Sequence, residues 1–385
     1  MSTFRHVAQT AAQAMMNRGL TDSAAWAMSL LVGADEDAVE TPFVNHFEDR
    51  PPRGYQVTNG SLIPDPSHPD SLGAPVTPAL MLGRALLARQ EFRRCINALR
   101  NETSDEAVFL QHYAWYLDGE RQNNLGIDTG GEGSSTGGLS TFEGSCAPSE
   151  VSNSLRKNPF LPEILRALGN IVATTGDNAA LGDGSTPNQA VCHDVSRISF
   201  HDDPYLVWLY GLVASKSGLA DVAIQAFACA VSMEPLLWAA WRDMVPLVRH
   251  EGQLAEIAEA LRNECVTTPW IVQLFTATAR IQLGQLPLAL SDVNDLAVVF
   301  PQAAFVQQLR AQVHSAAKEH ETAKNAFLKL RALDGYRLDA MDDFSNVLFV
   351  LGDRRGLSSL ALDCFTVDPF RAESNCVAGN LYGML

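Results

Sequence analysis

The sequence predicts an all-α fold: a helical-repeat solenoid of helix–turn–helix units, with inserts between some of them. Three observations lead there. First, Ala223, Ala226, Phe227 and Ala230 stand at i, i+3, i+4 and i+7, and Ala323, Ala326, Phe327 and Leu330 repeat the pattern further along. This spacing marks one buried helix face, and Ala289, Val293 and Leu296 carry a weaker copy between the two. Second, Pro235, Pro269, Pro301, Gly335 and Pro369 punctuate the chain at intervals of 34, 32, 34 and 34 residues. Each is placed to end one helix and precede the next. Third, Gly218, Gly252, Gly284 and Gly352 mark a second break about midway through their intervals.

A period near 34 with two helices per unit is the tetratricopeptide (TPR) pattern. In the first clear unit Gly211 takes the close-approach position of the first helix. Ala223, Phe227 and Ala230 take the small, large and small positions of the second, and Pro235 closes the unit. Small residues let two helix backbones approach, and the aromatic fills the neighbouring gap. Val207 stands where the pattern usually has Trp. Ala289, Pro301, Ala323, Phe327, Phe344, Leu348, Pro369 and Gly379 occupy packing and boundary positions of the later units.

In chain order, residues 1–34 form an N-terminal TPR-like helix pair that turns at Gly19, and 35–76 a Pro-rich insert. Residues 77–174 hold degenerate TPRs interrupted by a Gly/Ser-rich insert at about 122–152. Within them, one pair runs over about 77–102 with Gly83 and Cys95 at its small positions, followed by helices at 104–119 and near 160–174. A polar linker spans 175–203, the regular array 204–371, and 372–385 begins a truncated TPR with Gly379 and Tyr382 in phase. The inserts cannot bury enough apolar surface to offset ordering entropy, so they are expected to be disordered or loosely attached. A chain that stops in mid-unit is expected to fray from its C-terminus, because each repeat is stabilised mainly by its neighbours.

Composition narrows the function. The chain has 385 residues, a formal net charge of −16 and 46% hydrophobic residues. That charge disfavours nucleic acid and anionic membranes as partners, since both need a basic surface; basic protein segments are better candidates. Seven scattered cysteines without a CxxC pair read as reduced thiols of a cytosolic or nuclear protein. The first sixteen residues lack the continuous apolar stretch of a secretory signal. The longest apolar run, at 206–214, is too short to span a bilayer.

The stretches that suggest chemistry have simpler readings. "DTGGEGSSTGG" lacks GxxxxGK[ST] and reads as a flexible insert. "CHD" at 192–194 and "HDD" at 201–203 have no paired metal-ligand spacing, so they read as loop side chains or a helix cap near Asp203. Trp208, Tyr210, Trp238, Trp241 and Trp270 recur near repeat boundaries, where packing explains them, and "DEDAVE" at 35–40 reads as a solvated acidic run. In "YRLDAMDDFSNVLFV" at 336–350, Asp339 is placed to cap a helix whose first turn holds Asp342 and Asp343. Phe344, Val347, Leu348 and Leu351 then form its apolar stripe. No catalytic, cofactor-binding or metal-ligating residue is assigned, and no cofactor is expected. Phe4, Val7, Ala11 and Met15 share one stripe of the first helix and are candidate dimer contacts.

Some segments carry more than a generic repeat. "YRLDAMDDFSNVLFV" with "LALDCFTVDPFRAESNCVAGNLY" resembles the TPR subunit of the anaphase-promoting complex of the cell-division-cycle protein 23 type, often called its eighth subunit. "RGLTDSAAWAMSLL" at 18–31, "LLARQEFRRCINAL" at 86–99 and "YLVWLYGLVASKSGLADVAIQAFACAVSMEPLLWAAW" at 205–241 look like that family's first, second and central repeats. The inserts and the early end depart from the family, which continues through further repeats. The resemblance implies a non-catalytic scaffold of a multisubunit ubiquitin ligase acting in the cell cycle and mitotic exit, in nucleus and cytoplasm. It implies homodimers through the N-terminal repeats, stacking on other subunits of the complex, and a groove that docks the activator protein, built largely from later repeats. Two alternatives stand beside it. One is a free TPR adaptor or co-chaperone binding peptide termini, although the array is poor in the Lys and Asn such a face would want. The other is TPRs fused to a catalytic domain beyond Leu385. The reading of the gene past that residue separates them.

Overall fold

The structure, a computed structural model, describes residues 3–34, 55–58, 61–64, 76–125, 158–175, 198–265 and 268–384. In chain order the elements are α1 (Thr3–Asn17), α2 (Thr21–Val32), β1 (Tyr55–Thr58), β2 (Ser61–Pro64), α3 (Pro78–Ala88), α4 (Phe92–Ala98), α5 (Asp105–Leu125), α6 (Leu161–Val172), β3 (Ala173–Thr175), β4 (Ile198–Phe200), α7 (Pro204–Ser217), α8 (Ala220–Met233), α9 (Trp238–Met244), a 3₁₀ turn (Val245–Leu247), α10 (Glu251–Glu264), α11 (Pro269–Gln282), α12 (Leu286–Val299), α13 (Ala304–Ala316), α14 (His320–Leu333), α15 (Met341–Val350), α16 (Arg354–Val367) and α17 (Ala372–Met384). The fold is the all-α, TPR-like helical repeat that the period predicts. Its contacts divide into two units, residues 76–223 and residues 1–75 with 224–385, the boundary falling inside α8.

In the unit of residues 76–223, Thr77 caps α3 by accepting from the Leu80 N–H (3.2 Å), and Pro78 opens it. Gly83 is a true close approach: a Cβ there would stand 2.8 Å from the Leu99 side chain. The Cys95 thiol donates to the Gly83 carbonyl (3.3 Å), and burial pushes that thiol up to about 11. Both expected small positions therefore meet. α7 is buried nearly all round. Its N-cap is Asp203, which accepts from the Tyr205 and Leu206 N–H groups, so the acidic end of "HDD" is a cap. β3 and β4 pair antiparallel, tying the described ends of the polar linker together; positions 176–197 lie outside the described residues.

The other unit carries the regular pairs α9–α10, α11–α12, α13–α14 and α15–α16, then α17, together with the N-terminal pair α1–α2. Phe327 and Phe344 stack with centroids 5.0 Å apart, joining α14 to α15 within a core that includes Ala323, Leu330, Leu348, Leu360 and Val377. Gly218, Gly284 and Gly352 all have positive φ, the left-handed geometry that ends a helix cheaply only at glycine.

Four expectations need correction. The Pro-rich insert contains an antiparallel hairpin, β1–β2, and Asn59-Gly60 between its strands is the strongest short hairpin signal in a sequence. Residues 122–125, expected to open the Gly/Ser-rich insert, continue α5, and apart from residue 76 the remaining positions of both inserts lie outside the described residues. Gly252 sits inside α10 rather than at a turn. Pro269 opens α11 instead of ending the preceding helix, as proline's preset φ permits at a first helical position. Besides these, helix α9 stops after Met244, where Pro246, lacking an N–H, converts its continuation into a 3₁₀ turn. Finally, Asp339 does not cap α15: Ala340 holds the N-cap position with φ +62° and no side-chain cap bond.

Candidate functional site

The predicted packing residues sort by burial. Gly211, Ala223, Phe227, Ala230, Ala289, Ala323, Phe327, Phe344 and Leu348 are buried, Pro235 is half-buried, and Pro301, Pro369 and Gly379 are exposed. A Cβ at Gly379 would meet nothing within 4 Å, so that glycine is not a close approach here.

The N-terminal pair has partners far along the chain. Trp26 stacks on Trp238 (4.4 Å, 10°), and Phe305 meets both rings edge-on. Ser23 Oγ accepts from the Ala239 N–H (3.1 Å), and the Gly33 carbonyl accepts from the Gln302 N–H (3.2 Å). Of the candidate dimer stripe, Ala11 and Met15 are buried within this unit and Val7 is half-buried; Phe4 lies outside the residues whose side chains are described. Met16 and Val32 remain exposed on the pair.

Charged side chains tie successive pairs together. Arg280 bridges Glu251 (2.9 Å) and Asp292 (2.6 Å), and Lys324 pairs with Asp353 (2.7 Å). Asp339 lies between Arg337 and Arg371, 3.0 Å from each. The Asp339 of "YRLD" is thus an inter-repeat bridge, while Asp342 and Asp343 do occupy the first turn of α15.

First helices of successive pairs, with the 3₁₀ turn after α9, line an open cavity of about 360 Å³, within the range of ligand-binding clefts. Val245, Ile281, Leu309 and Ala316 form its apolar walls; Thr278, Gln282, Gln312, Ser315 and Asp343 are its polar groups. Asp343 is its only charged lining residue and accepts from Gln312 Nε2 (2.9 Å). Burial pushes the Asp343 carboxyl above its ordinary range, against the lowering effect of the Gln312 bond; neighbouring Asp342 raises it further. Of these polar residues the sequence singled out Asp343 alone, and as a first-turn carboxylate of a helix rather than as part of a cavity. A signal was present, however: Thr278, Gln312 and Asn346 follow one another at the 34-residue period, which puts them on equivalent faces of α11, α13 and α15. Such an arrangement can bind; it offers no nucleophile–base pair. Among the described residues no group of three His, Cys, Asp or Glu is placed to hold a metal, and "CHD" at 192–194 lies outside them. No helix among the described residues is long and apolar enough to cross a membrane.

Comparison with known proteins places the chain in a family. The family described as "Anaphase promoting complex subunit 8 / Cdc23" matches residues 3–311. The Arabidopsis thaliana protein named anaphase-promoting complex subunit 8 is 24% identical over 99% of this chain and 59% of its own length. The human cell division cycle protein 23 homolog is 25% identical over 74% of this chain and 39% of its own. In Saccharomyces cerevisiae, anaphase-promoting complex subunit CDC23 is 22% identical over 94% of this chain and 60% of its own. The chain therefore spans three fifths or less of the length of these relatives.

Proposed function

Because the chain belongs to the anaphase promoting complex subunit 8 / Cdc23 family, we propose that it serves as a non-catalytic scaffold subunit of that ubiquitin ligase, acting in cell-cycle progression and mitotic exit. The family match across most of the chain carries this reading. The helix-pair array supports it physically: stacked pairs present long faces for other proteins, and the one cavity described above has binding groups without catalytic ones.

In this role the chain contacts other subunits of the complex and the activator protein, works in the nucleus and cytoplasm, and forms homodimers through its N-terminal repeats. Nucleic acid and membrane are not among its partners, as its net charge of −16 suggests. With Ala11 and Met15 already buried, a second copy would meet the outer side of the α1–α2 pair, where Met16 is 56% and Val32 is 86% exposed. Depleting the protein from dividing cells tests the function. The expected result is arrest before anaphase, reversed by re-expression; unchanged anaphase timing would overturn the proposal.

A further inference from the structure

We propose that the hairpin β1–β2 is a strap on helix α1: it covers one flank of that helix, restrains the pairing of a second copy there, and is latched by Tyr55. This regulation rests on the homodimer reading given above. Three observations carry it. First, the hairpin and α1 belong to one unit of the chain, and the hairpin reaches the helix through Tyr55, which is only 8% exposed. The Tyr55 hydroxyl lies 2.8 Å from Thr10 Oγ1, and its ring meets His6 edge-on, with centroids 5.9 Å apart. A threonine hydroxyl has one proton to donate, and that of Thr10 goes to the His6 carbonyl (3.1 Å). The Tyr55 O–H is therefore the donor to Thr10.

Second, the latch stands beside the surface that a second copy would meet. His6, Thr10 and Gln13 follow one another at i, i+4 and i+7 on one face of α1, and Gln9 and Met16 lie next to them. Gln9, Gln13 and Met16 are exposed, while His6 and Thr10, against Tyr55, are half-buried. Helices that pack directly approach to about 8–10 Å between axes. A hairpin seated on His6 and Thr10 takes the space that the side chains of an apposed helix would fill. Third, the closure is weak enough to open. A two-stranded hairpin is marginally stable at best in water, so its order depends on docking, and Tyr55 contributes one buried ring and one hydrogen bond to that docking. The α2 side of the pair is held independently, by the Trp26–Trp238 stack and by bonds to Ala239 and Gln302. The strap can therefore lift without releasing the pair.

Analytical ultracentrifugation of the full chain over a range of concentrations tests the strap through the dimer dissociation constant. Tyr55→Ala removes the latch and should tighten the dimer at least about tenfold. Tyr55→Phe and Thr10→Val each remove the hydrogen bond while keeping the bulk, and each should tighten it about fivefold. Tyr336→Ala, at a tyrosine 81% exposed elsewhere in the unit, should leave it unchanged. Amide exchange over residues 21–32 should stay at the parent level in every variant, because the pair remains docked. If Thr10→Val disturbs α1 itself, the two Tyr55 variants, which lie in the insert, still decide. Dimers of unchanged or lower affinity in Tyr55→Ala would overturn the strap and leave the homodimer standing. Lost protection over residues 21–32 in Tyr55→Ala would make the hairpin a brace of the pair and overturn the strap as well. A parent chain and variants that all stay monomeric would overturn both the strap and the homodimer, with membership of the family untouched.

Discussion

Replacing Gly33 by alanine should release the N-terminal helix pair from the rest of its unit. A Cβ at Gly33 would stand 2.5 Å from the Ala303 nitrogen and 2.6 Å from both the Ala303 Cα and the Gln302 carbonyl carbon. These are backbone atoms, with no rotamer to move out of the way. Reaching an ordinary carbon contact of about 3.5 Å requires the gap to open by about 1 Å. That movement breaks the Gln302–Gly33 hydrogen bond, with a net loss of about 1 kcal/mol. It also disturbs the Trp26–Trp238 stack, a further loss of about 1 kcal/mol. A total near 2 kcal/mol shifts the docking equilibrium roughly thirtyfold toward the released pair. The assay is amide hydrogen exchange over residues 21–32 and 238–244. Both segments should lose protection, and tryptophan emission should shift to the red, while the later pairs stay protected. Gly379→Ala is the control, since a Cβ there meets nothing within 4 Å and helix propensity favours alanine. Gly33→Ala with the protection pattern of the parent chain would refute this account of how the pair is held.

Three further perturbations test the packing and the polar contacts. Ala323 is fully buried and Ser359 exposed, so Ala323→Leu should cost about 1–3 kcal/mol by overpacking and Ser359→Leu little; equal thermal shifts would mean that the repeats are misregistered. Phe327→Ala removes a buried ring stacked on Phe344 and should cost about 3–5 kcal/mol, seen as a lowered urea midpoint; a loss below about 1 kcal/mol would contradict the core described here. Asp353 caps α16 through the Gly356 N–H (2.9 Å), and the Lys324 ammonium, then that N–H, hold its carboxyl below the usual value. A depressed carboxylate stabilises the fold above its unfolded value and loses that contribution as pH falls through the folded one. Asp353→Ala should therefore cost about 1 kcal/mol at pH 7, and the gap to the parent should narrow as pH drops below about 3.9; a gap that stays constant down to pH 2 would refute the assignment.

The repeat was legible because its determinants are local. Proline and glycine mark the ends of units, and Ala323, Ala326 and Phe327 announce a buried face by spacing alone. Where a determinant was non-local, sequence reasoning missed it. Asp339 looked like a cap because it precedes an apolar run. The left-handed turn at Ala340 instead carries it between Arg337 and Arg371, and one of those partners lies a full repeat away. The left-handed residues Gln90 and Lys318 give no glycine signal, so those turns could be placed only by period. The docking of Ser23 and Trp26 depends on Ala239, Trp238 and Phe305, more than two hundred residues on. Nothing in the first helix pair names those partners. Of the cavity, the phase of Thr278, Gln312 and Asn346 was available from the period. Its volume and the Gln312–Asp343 hydrogen bond follow from packing between helices, which a single sequence does not display.

The central claim is that this array of helix pairs is a scaffold within the ligase. Affinity purification of the tagged chain from dividing cells, followed by mass spectrometry, tests it most directly. The account predicts recovery of the other subunits of the anaphase-promoting complex, its cullin-like and RING-type subunits among them. Recovery of chaperones with no ligase subunit would contradict it.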